Sequence, residues 1–403
     1  MISRELAQYS LRGLSKRKTR SFLTILSILL GIATIFIFVS FGLGLYFYID
    51  GFTSSTSADK LIIQAKGFGG ATGLGTSFPI TDEDIDAIKK ASGVYEVTGS
   101  YIQPGEITKG KEKVYSFIIS YEPKIPLMIE FSNIGITKGR KLMSNDKGKV
   151  VLGYNYLLDN KIFKKGYSIN DNIEINGEKL RIIGFYEPVG NPQDDSNIYI
   201  TNKYARKFFS EKNLSYGMVV ARIDTENIDL VVENVEKKLR KQRNLEKGKE
   251  DFTVQSFSEL LESYMSAMNI VIGFVILIAL ISVLVSAVNT SNTMITSVIE
   301  RIKEIGIIKS IGGKNSAIFG IFLFESGILG LISGIFGVLL GWGLSSFGGN
   351  LLLNMGWGFL SPSFPWWLFA GCILFATLTG ALSGIIPAWK ASKINPVDAL
   401  RYE

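Results

Sequence analysis

Histidine is absent from all 403 residues, and cysteine occurs once, at Cys372. Without histidine there is no Ser-His-Asp or Cys-His nucleophile system and no His-ligated metal site, and one cysteine cannot build a zinc site. A Ser–Lys hydrolase is the enzyme chemistry that survives this filter. The phosphate-cradling Gly-x-x-x-x-Gly-Lys-Ser/Thr is also missing. Its nearest approach, Gly313-Lys314-Asn315-Ser316, has Ile308 where the first glycine belongs. The chain is therefore not expected to be an enzyme, to hydrolyse ATP by itself, or to hold a metal or cofactor of its own.

Charge is missing from three long runs: Ser21 to Ile49, Ser263 to Ile299, and the stretch between Glu325 and Lys390. A membrane helix needs about 20 mostly apolar residues. The first two runs each hold one. The third is too long for one, and Gly348, Gly349, Asn350, Pro362 and Pro365 are expected to break it. Four spans follow, at 21–49, 266–293, 315–346 and 366–389. The first run is far longer than a signal-peptide core of about 7–15 residues and reads as a retained anchor. Its 29 residues reach roughly 43 Å, beyond a hydrocarbon core of about 30 Å, so the helix should continue outside the membrane as a stalk.

The segments between the spans orient them. Residues 1–20, 294–314 and 390–403 are rich in Lys and Arg, whereas the loop 347–365 has neither. The positive-inside rule makes these three segments, and both termini, cytoplasmic in a multi-pass protein of the cell membrane. Residues 50–265 then lie outside, and their charges balance, so the net charge of +7 reports topology and not nucleic-acid binding. Residues 2–20 read as a partly amphipathic helix on the inner lipid surface. The chain is thus a multi-pass α-helical membrane protein with four transmembrane helices and a large α/β extracytoplasmic domain between helices 1 and 2.

That domain is large enough to fold on a packed core without disulfides. Leu61–Ala65, Val94–Tyr101 and Val114–Ser120 read as strands, and Thr81–Asp84 as a cap before a helix carrying Ile85 and Ile88. Met218–Ile223, a helical stripe from Ile228 to Leu239, and Phe252–Ser256 repeat the unit. Between them, residues from about 133 to 200 alternate in short segments split by Gly and Asn and read as an inserted β-rich subdomain. The glycine-rich loop 67–75 reads as a mobile loop, since it never completes Gly-x-Gly-x-x-Gly. The cluster from Lys237 to Lys249, including Arg240 and Arg243, reads as a solvated helix face.

The segment 294–314 reads as a handle. Ile302, Ile305 and Ile308 recur at helical spacing among paired charges of both signs, which positive-inside bias does not explain. Glu300, Arg301, Lys303, Glu304, Gly306 and Lys309 are the residues expected to meet a soluble partner there. In the third span, Gly327, Gly330, Gly334, Gly337 and Gly341 allow a tight helix pair, within the subunit or across a dimer. Glu325 is an acid in an apolar helix, for which a helix-to-helix hydrogen bond is expected in preference to a proton relay. Asn395-Pro396-Val397-Asp398 reads as the start of a short surface helix.

Three separated motifs occur in an informative order. Asn292-Thr293-Met294 with Glu300-Arg301-Ile302-Lys303-Glu304-Ile305-Gly306 resembles the membrane subunits of MacB/FtsX/LolC-type ABC transporters. Lys16-Arg17-Lys18-Thr19-Arg20-Ser21-Phe22 is similar to that family's entry into span one, and Pro387-Ala388-Trp389-Lys390 with Asn395-Pro396-Val397-Asp398 to its C-terminus. The resemblance implies a permease that pairs as a homodimer or heterodimer. It also implies a separate cytoplasmic ABC ATP-binding subunit that holds ATP and Mg, and a helix after span two that couples hydrolysis to movement of the external domains. Export or extraction of an unknown hydrophobic or peptide-like client is then expected. The alternative is an FtsX-like regulator that transmits motion to a cell-wall enzyme or sensor without transport.

Overall fold

The computed structural model describes residues 18–53, 59–66, 79–132, 134–209 and 214–401. The expected surface helix at 1–20 falls almost wholly outside the described residues, as does the loop 67–75. Contacts divide the chain into two units. One contains residues up to Leu45, Ala267–Leu351 and Leu360 onward, and the other contains Tyr46–Ser266 with Leu352–Phe359.

The first unit is a helical bundle. Among the described residues, four helices are long and apolar enough to cross a membrane: α1 (Lys18–Thr53), α6 (Phe257–Glu300), α8 (Asn315–Met355) and α9 (Trp366–Ser392). Half of the apolar window of α8 is buried against 17% of that of α6, so α8 is the central helix and α6 the outermost. Hydroxyl pairs link α1 to its neighbours. Ser27 Oγ lies 2.8 Å from Ser286 Oγ on α6, and Ser40 Oγ donates to Ser345 Oγ on α8 at 3.1 Å.

All four helices overrun the expected limits, α6 and α8 by the most. The helix α6 starts at Phe257, well before residue 266. The Ser256 N–H donates to the Glu259 carboxylate at 2.8 Å and the Glu259 N–H returns to Ser256 Oγ at 3.1 Å, a reciprocal cap that starts the helix at the end of a strand. Nor do Gly348, Gly349 and Asn350 break α8. It runs through them to Met355, because Gly349 is where Pro362 packs: a Cβ there would meet the proline ring at 2.5 Å. The helix stops at Gly356, which takes φ +95°, with the Trp357 N–H donating back to the Leu352 carbonyl at 2.8 Å.

The second unit is α/β. Strands β1 (Lys60–Ala65), β9 (Tyr216–Ile223), β10 (Phe252–Ser256) and the first half of β2 (Val94–Lys109) form an antiparallel sheet in the order β10-β1-β9-β2. Helix α2 (Asp82–Lys89) joins β1 to β2, and α5 (Ile228–Arg243) joins β9 to β10. This is the interlocked βαβ–βαβ arrangement of ferredoxin-like folds. Ile88 from α2 and Val231, Val235 and Leu239 from α5 sit in the core beneath the sheet. The Thr81–Asp84 spacing does cap α2, with the Thr81 N–H donating to Asp84 at 2.9 Å.

The insertion between β2 and β9 is a closed barrel. The second half of β2 pairs with β3 (Glu112–Tyr121), β3 with β8 (Ile198–Thr201), and β8 with β5 (Lys149–Leu152). Strand β5 pairs with β7 (Glu178–Tyr186), β7 with β6 (Asn172–Ile175), and β6 returns to β2 through Ile107 opposite Ile175. Short β4 (Ile136–Gly139) adds to β7. The barrel takes in β2 and β3 as well as residues from about 133 to 200, because β2 runs unbroken from one sheet into the other. The small helices α3 (Leu127–Ser132) and α4 (Asn202–Phe208) lie beside it in the chain.

Candidate functional site

The handle resolves into three pieces. Residues 294–300 complete α6, where Met294 and Val298 pack with Ile318 and Phe322 of α8. Arg301 breaks the helix. Ile302–Ser310 then form a separate short helix, α7, and Gly312 at φ +94° turns the chain into α8. After α9, Pro396–Arg401 form α10. Helices α7 and α10 lie side by side, since a Cβ on Gly306 would come within 2.9 Å of the Ala399 Cβ. Asn395 Oδ1 accepts from the Val397 N–H at 3.2 Å at the start of α10.

The six handle residues divide by direction. Glu300, Lys303 and Glu304 are exposed, together with Ile307 (55% accessible) and Ile311. Within α7, positions 303, 304 and 307 fall on one helical face. Three others turn inward. Arg301 Nη1 lies 3.1 Å from the Glu325 carboxylate, with side chains only 10% and 4% accessible, and its Nε donates to Glu304 at 3.1 Å. Lys309 Nζ donates to the carbonyls of Ser392 and Ile394 at 2.7 and 2.8 Å, capping the end of α9 with a cation where the helix dipole is negative. Gly306 is the contact with α10.

The apolar stripe is likewise divided. Ile305 is buried in the cluster with Phe322 and Ala388, and Ile308 packs against it, whereas Ile307 and Ile311 face out. Sequence spacing singled out the inward isoleucines and missed the outward pair. On α10, Val397 and Leu400 are exposed as well. The two packed helices thus expose both apolar and charged side chains, and an ion pair and a capped helix end hold them from within.

Residues 276–396 match the FtsX-like permease C-terminal family, and residues 21–238 match the MacB-like periplasmic core domain. An ABC transporter permease of Methanocaldococcus jannaschii, MJ1507, is 32% identical over 401 residues, covering 99% of this chain and 98% of that protein. The chain belongs to the MacB/FtsX-like family of ABC transporter permeases. The permease YknZ of Bacillus subtilis is 27% identical, with 98% of each chain covered. The macrolide export ATP-binding/permease protein MacB of Bdellovibrio bacteriovorus is 27% identical over 99% of this chain but only 62% of its own length. Among solved structures, the periplasmic region of MacB from Actinobacillus actinomycetemcomitans covers 52% of the chain and 93% of its own at 14% identity, with a TM-score of 0.42.

The glycines of α8 hold this permease together from within. Gly330 and Gly334 meet α9, where added Cβ atoms would come within 2.4 Å of the Ala376 carbonyl and 2.8 Å of the Ala376 Cβ. Gly337 and Gly341 meet α1 at Leu29, Ile32 and Phe36. Gly327 is looser, with Ala381 at 3.9 Å. The tight pairs expected of these residues thus occur inside one subunit.

The basic cluster on α5 is partly inward too. Arg243 bridges Asp84 on α2 (2.7 Å) and Asp251 (2.8 Å), and Arg240 pairs with Glu236 and Glu250. Burial pushes the Asp84 carboxyl up. The Arg243 hydrogen bonds and the Thr81 N–H outweigh it and hold the group below its ordinary value.

Proposed function

We propose that this permease is the membrane subunit of an ABC complex. It would couple ATP hydrolysis by a separate cytoplasmic ATP-binding subunit to movement of its α/β domain. The observation that carries the reading is that α7 and α10 pack together through Gly306 and Ala399 while Ile307, Ile311, Val397 and Leu400, and the charged Lys303, Glu304 and Asp398, are exposed on them. Exposed apolar residues beside charged ones are a composition suited to docking a partner. The permease relatives MJ1507 and YknZ, each covered over 98% of its own length, support an ATPase held on a separate subunit. The excess of Lys and Arg around α7 and in the tail supports a cytoplasmic position for both.

The client is proposed to be hydrophobic or peptide-like and to be exported or extracted on the outer side. The support is the macrolide-export name of the MacB relatives. The test is co-purification of the permease with its candidate ATP-binding subunit beside Ile307→Asp, which alters an outward residue. Retention of the ATPase by the wild type and its loss from the variant is the expected result. Equal retention by both would remove α7 from the docking surface, and no retention by either would leave a free-standing regulator as the better reading.

A further inference from the structure

Between β3 and β5 the chain folds around a cavity of about 420 Å³. Its apolar wall is made by Pro123, Pro126, Ile129, Ile134 and Leu142. Pro126 opens α3, where a missing N–H costs nothing, and its carbonyl accepts from the Ile129 and Glu130 N–H groups at 3.0 and 2.9 Å. Small-molecule sites are mostly apolar cavities of roughly 300–1,000 Å³ with a few placed polar groups. Here the polar groups of the wall are Tyr121, Glu130 and Lys141.

These three differ in what is left to them. Glu130 is engaged: Arg222 Nη2 donates to it at 2.6 Å and Lys60 Nζ lies 3.7 Å away. Lys141 is exposed, and its ammonium meets no carboxylate among the described residues, whereas Arg140 and Lys149 share Asp146. Glu187 covers Gly135, 2.5 Å from an added Cβ, without lining the cavity. Tyr121 is only 2% accessible. Its hydroxyl sits against Leu142 and accepts from that N–H at 3.3 Å and from the Tyr186 hydroxyl at 3.2 Å. Two phenols carry two protons and the bond between them uses one, so the other has no acceptor among the described residues. With Tyr186 donating, that spare proton is on Tyr121, at the cavity wall. Burial pushes the Tyr121 phenol above its ordinary value, so it stays protonated and able to donate. A buried donor without an acceptor is costly, and a ligand oxygen would remove that cost.

We propose that this cavity binds a carboxylate carried on a small apolar body. The free polar groups of its wall are both donors, one neutral and one cationic, and its acid is already matched by Arg222 and Lys60. The Tyr121 hydroxyl and the Lys141 ammonium hold the carboxylate, and the prolines and isoleucines cover the apolar body. A cationic ligand finds no free anion in this wall, and a bare hydrocarbon leaves the Tyr121 proton unpaired. An aliphatic acid and the C-terminus of a short apolar peptide both carry the required chemistry. The site stands whether or not α7 docks an ATPase.

The test is calorimetric titration of the full permease in lipid nanodiscs, with empty nanodiscs as the blank. The probes are octanoate, N-acetyl-leucyl-leucine with a free C-terminus, and octanol as the neutral control. Saturable binding of at least one of the two acids is expected, with octanol about tenfold weaker or more, and the tighter acid identifies the source of the carboxylate. Lys141→Met keeps the stem of an exposed side chain, so folding is not at issue. It should weaken the acid up to about fivefold and leave octanol unchanged. Tyr121→Phe should weaken the acid about tenfold. Because it also takes the acceptor from the Leu142 N–H, a mere loosening of the wall would weaken octanol equally, and loss for the acid alone is the expected signature. The proposal is overturned if neither acid saturates, if octanol binds as tightly as the acids, or if Lys141→Met and Tyr121→Phe both bind the acid as the wild type does.

Discussion

Gly330 and Gly380 bring the backbones of α8 and α9 into direct contact: a Cβ built on Gly380 would lie 2.7 Å from the Gly330 Cα. No side chain separates the helices there, so backbone is the packing surface. Gly380→Leu is expected to force the pair apart and cost about 3 kcal/mol, read as a lower melting temperature in detergent. Gly371→Leu on the same helix, where nothing lies within 4 Å of an added Cβ, should leave melting unchanged. Equal effects of the two would show that this contact does not order the bundle.

Arg243 ties α5 to α2 through Asp84 and to the residue before β10 through Asp251. Arg243→Ala leaves two carboxylates without their shared cation and should destabilise the α/β unit by about 3 kcal/mol, measured as a drop in denaturant midpoint.

The same cluster sets a pH dependence. The folded-state pKa of Asp84 lies below its unfolded value, so folding favours the ionised form. Its stabilisation is complete above the ordinary carboxylate range and is lost as pH falls through the depressed folded value. Asp84→Asn should therefore be less stable than wild type at pH 7, with the gap closing in strong acid. A gap that stays constant with pH would mean the carboxylate charge contributes nothing.

Lys309 holds the end of α9 through two backbone carbonyls. Lys309→Met keeps the stem and removes the ammonium. A loss of about 2 kcal/mol is expected, confined to the junction of α9 and α10. Limited proteolysis should show faster cleavage near residues 393–396 with the bundle intact, and unchanged cleavage would mean that the cap is replaced by water.

Glu304 sits at the border between the buried Arg301–Glu325 pair and the exposed face, accepting from Arg301 Nε while its own side chain stays 54% accessible. Glu304→Lys places a like charge beside Arg301 and reverses the charge offered to a partner. Membrane insertion should persist while stimulation of the partner ATPase disappears. Normal stimulation would argue that α7 is an ordinary connecting helix.

The apolar spans and the paired βαβ units were legible because run length and alternation are local properties. Ser21–Ile49 is uncharged whatever it packs on, and Ile85, Ile88 and the stripe from Ile228 to Leu239 face a sheet by period alone. What was not legible depends on partners distant in the chain. Ile305 and Ile307 are the same residue type two apart, and only the position of Phe322 decides which is buried. Glu325 announced itself as an acid in an apolar helix, but its partner Arg301 lies 24 residues earlier, beyond all of α7, among other basic residues that read as surface. The closed barrel needed Ile107 opposite Ile175, a pairing that no local pattern signals. The run through Gly348–Asn350 misled because glycine lowers helix propensity in water, whereas here it admits Pro362.

The barrel is spliced between β2 and β9, neighbours in the four-stranded sheet, and its chain leaves and returns on that one side. Strands β1 and β10, which lead from α1 and into α6, lie on the far side and take no part in it. The frame can thus keep its own hydrogen-bonded register while the inserted piece is enlarged, trimmed or exchanged for another. One chassis can then carry many different tools, so that sequence divergence among such permeases should concentrate in the spliced piece and spare the strands that anchor it.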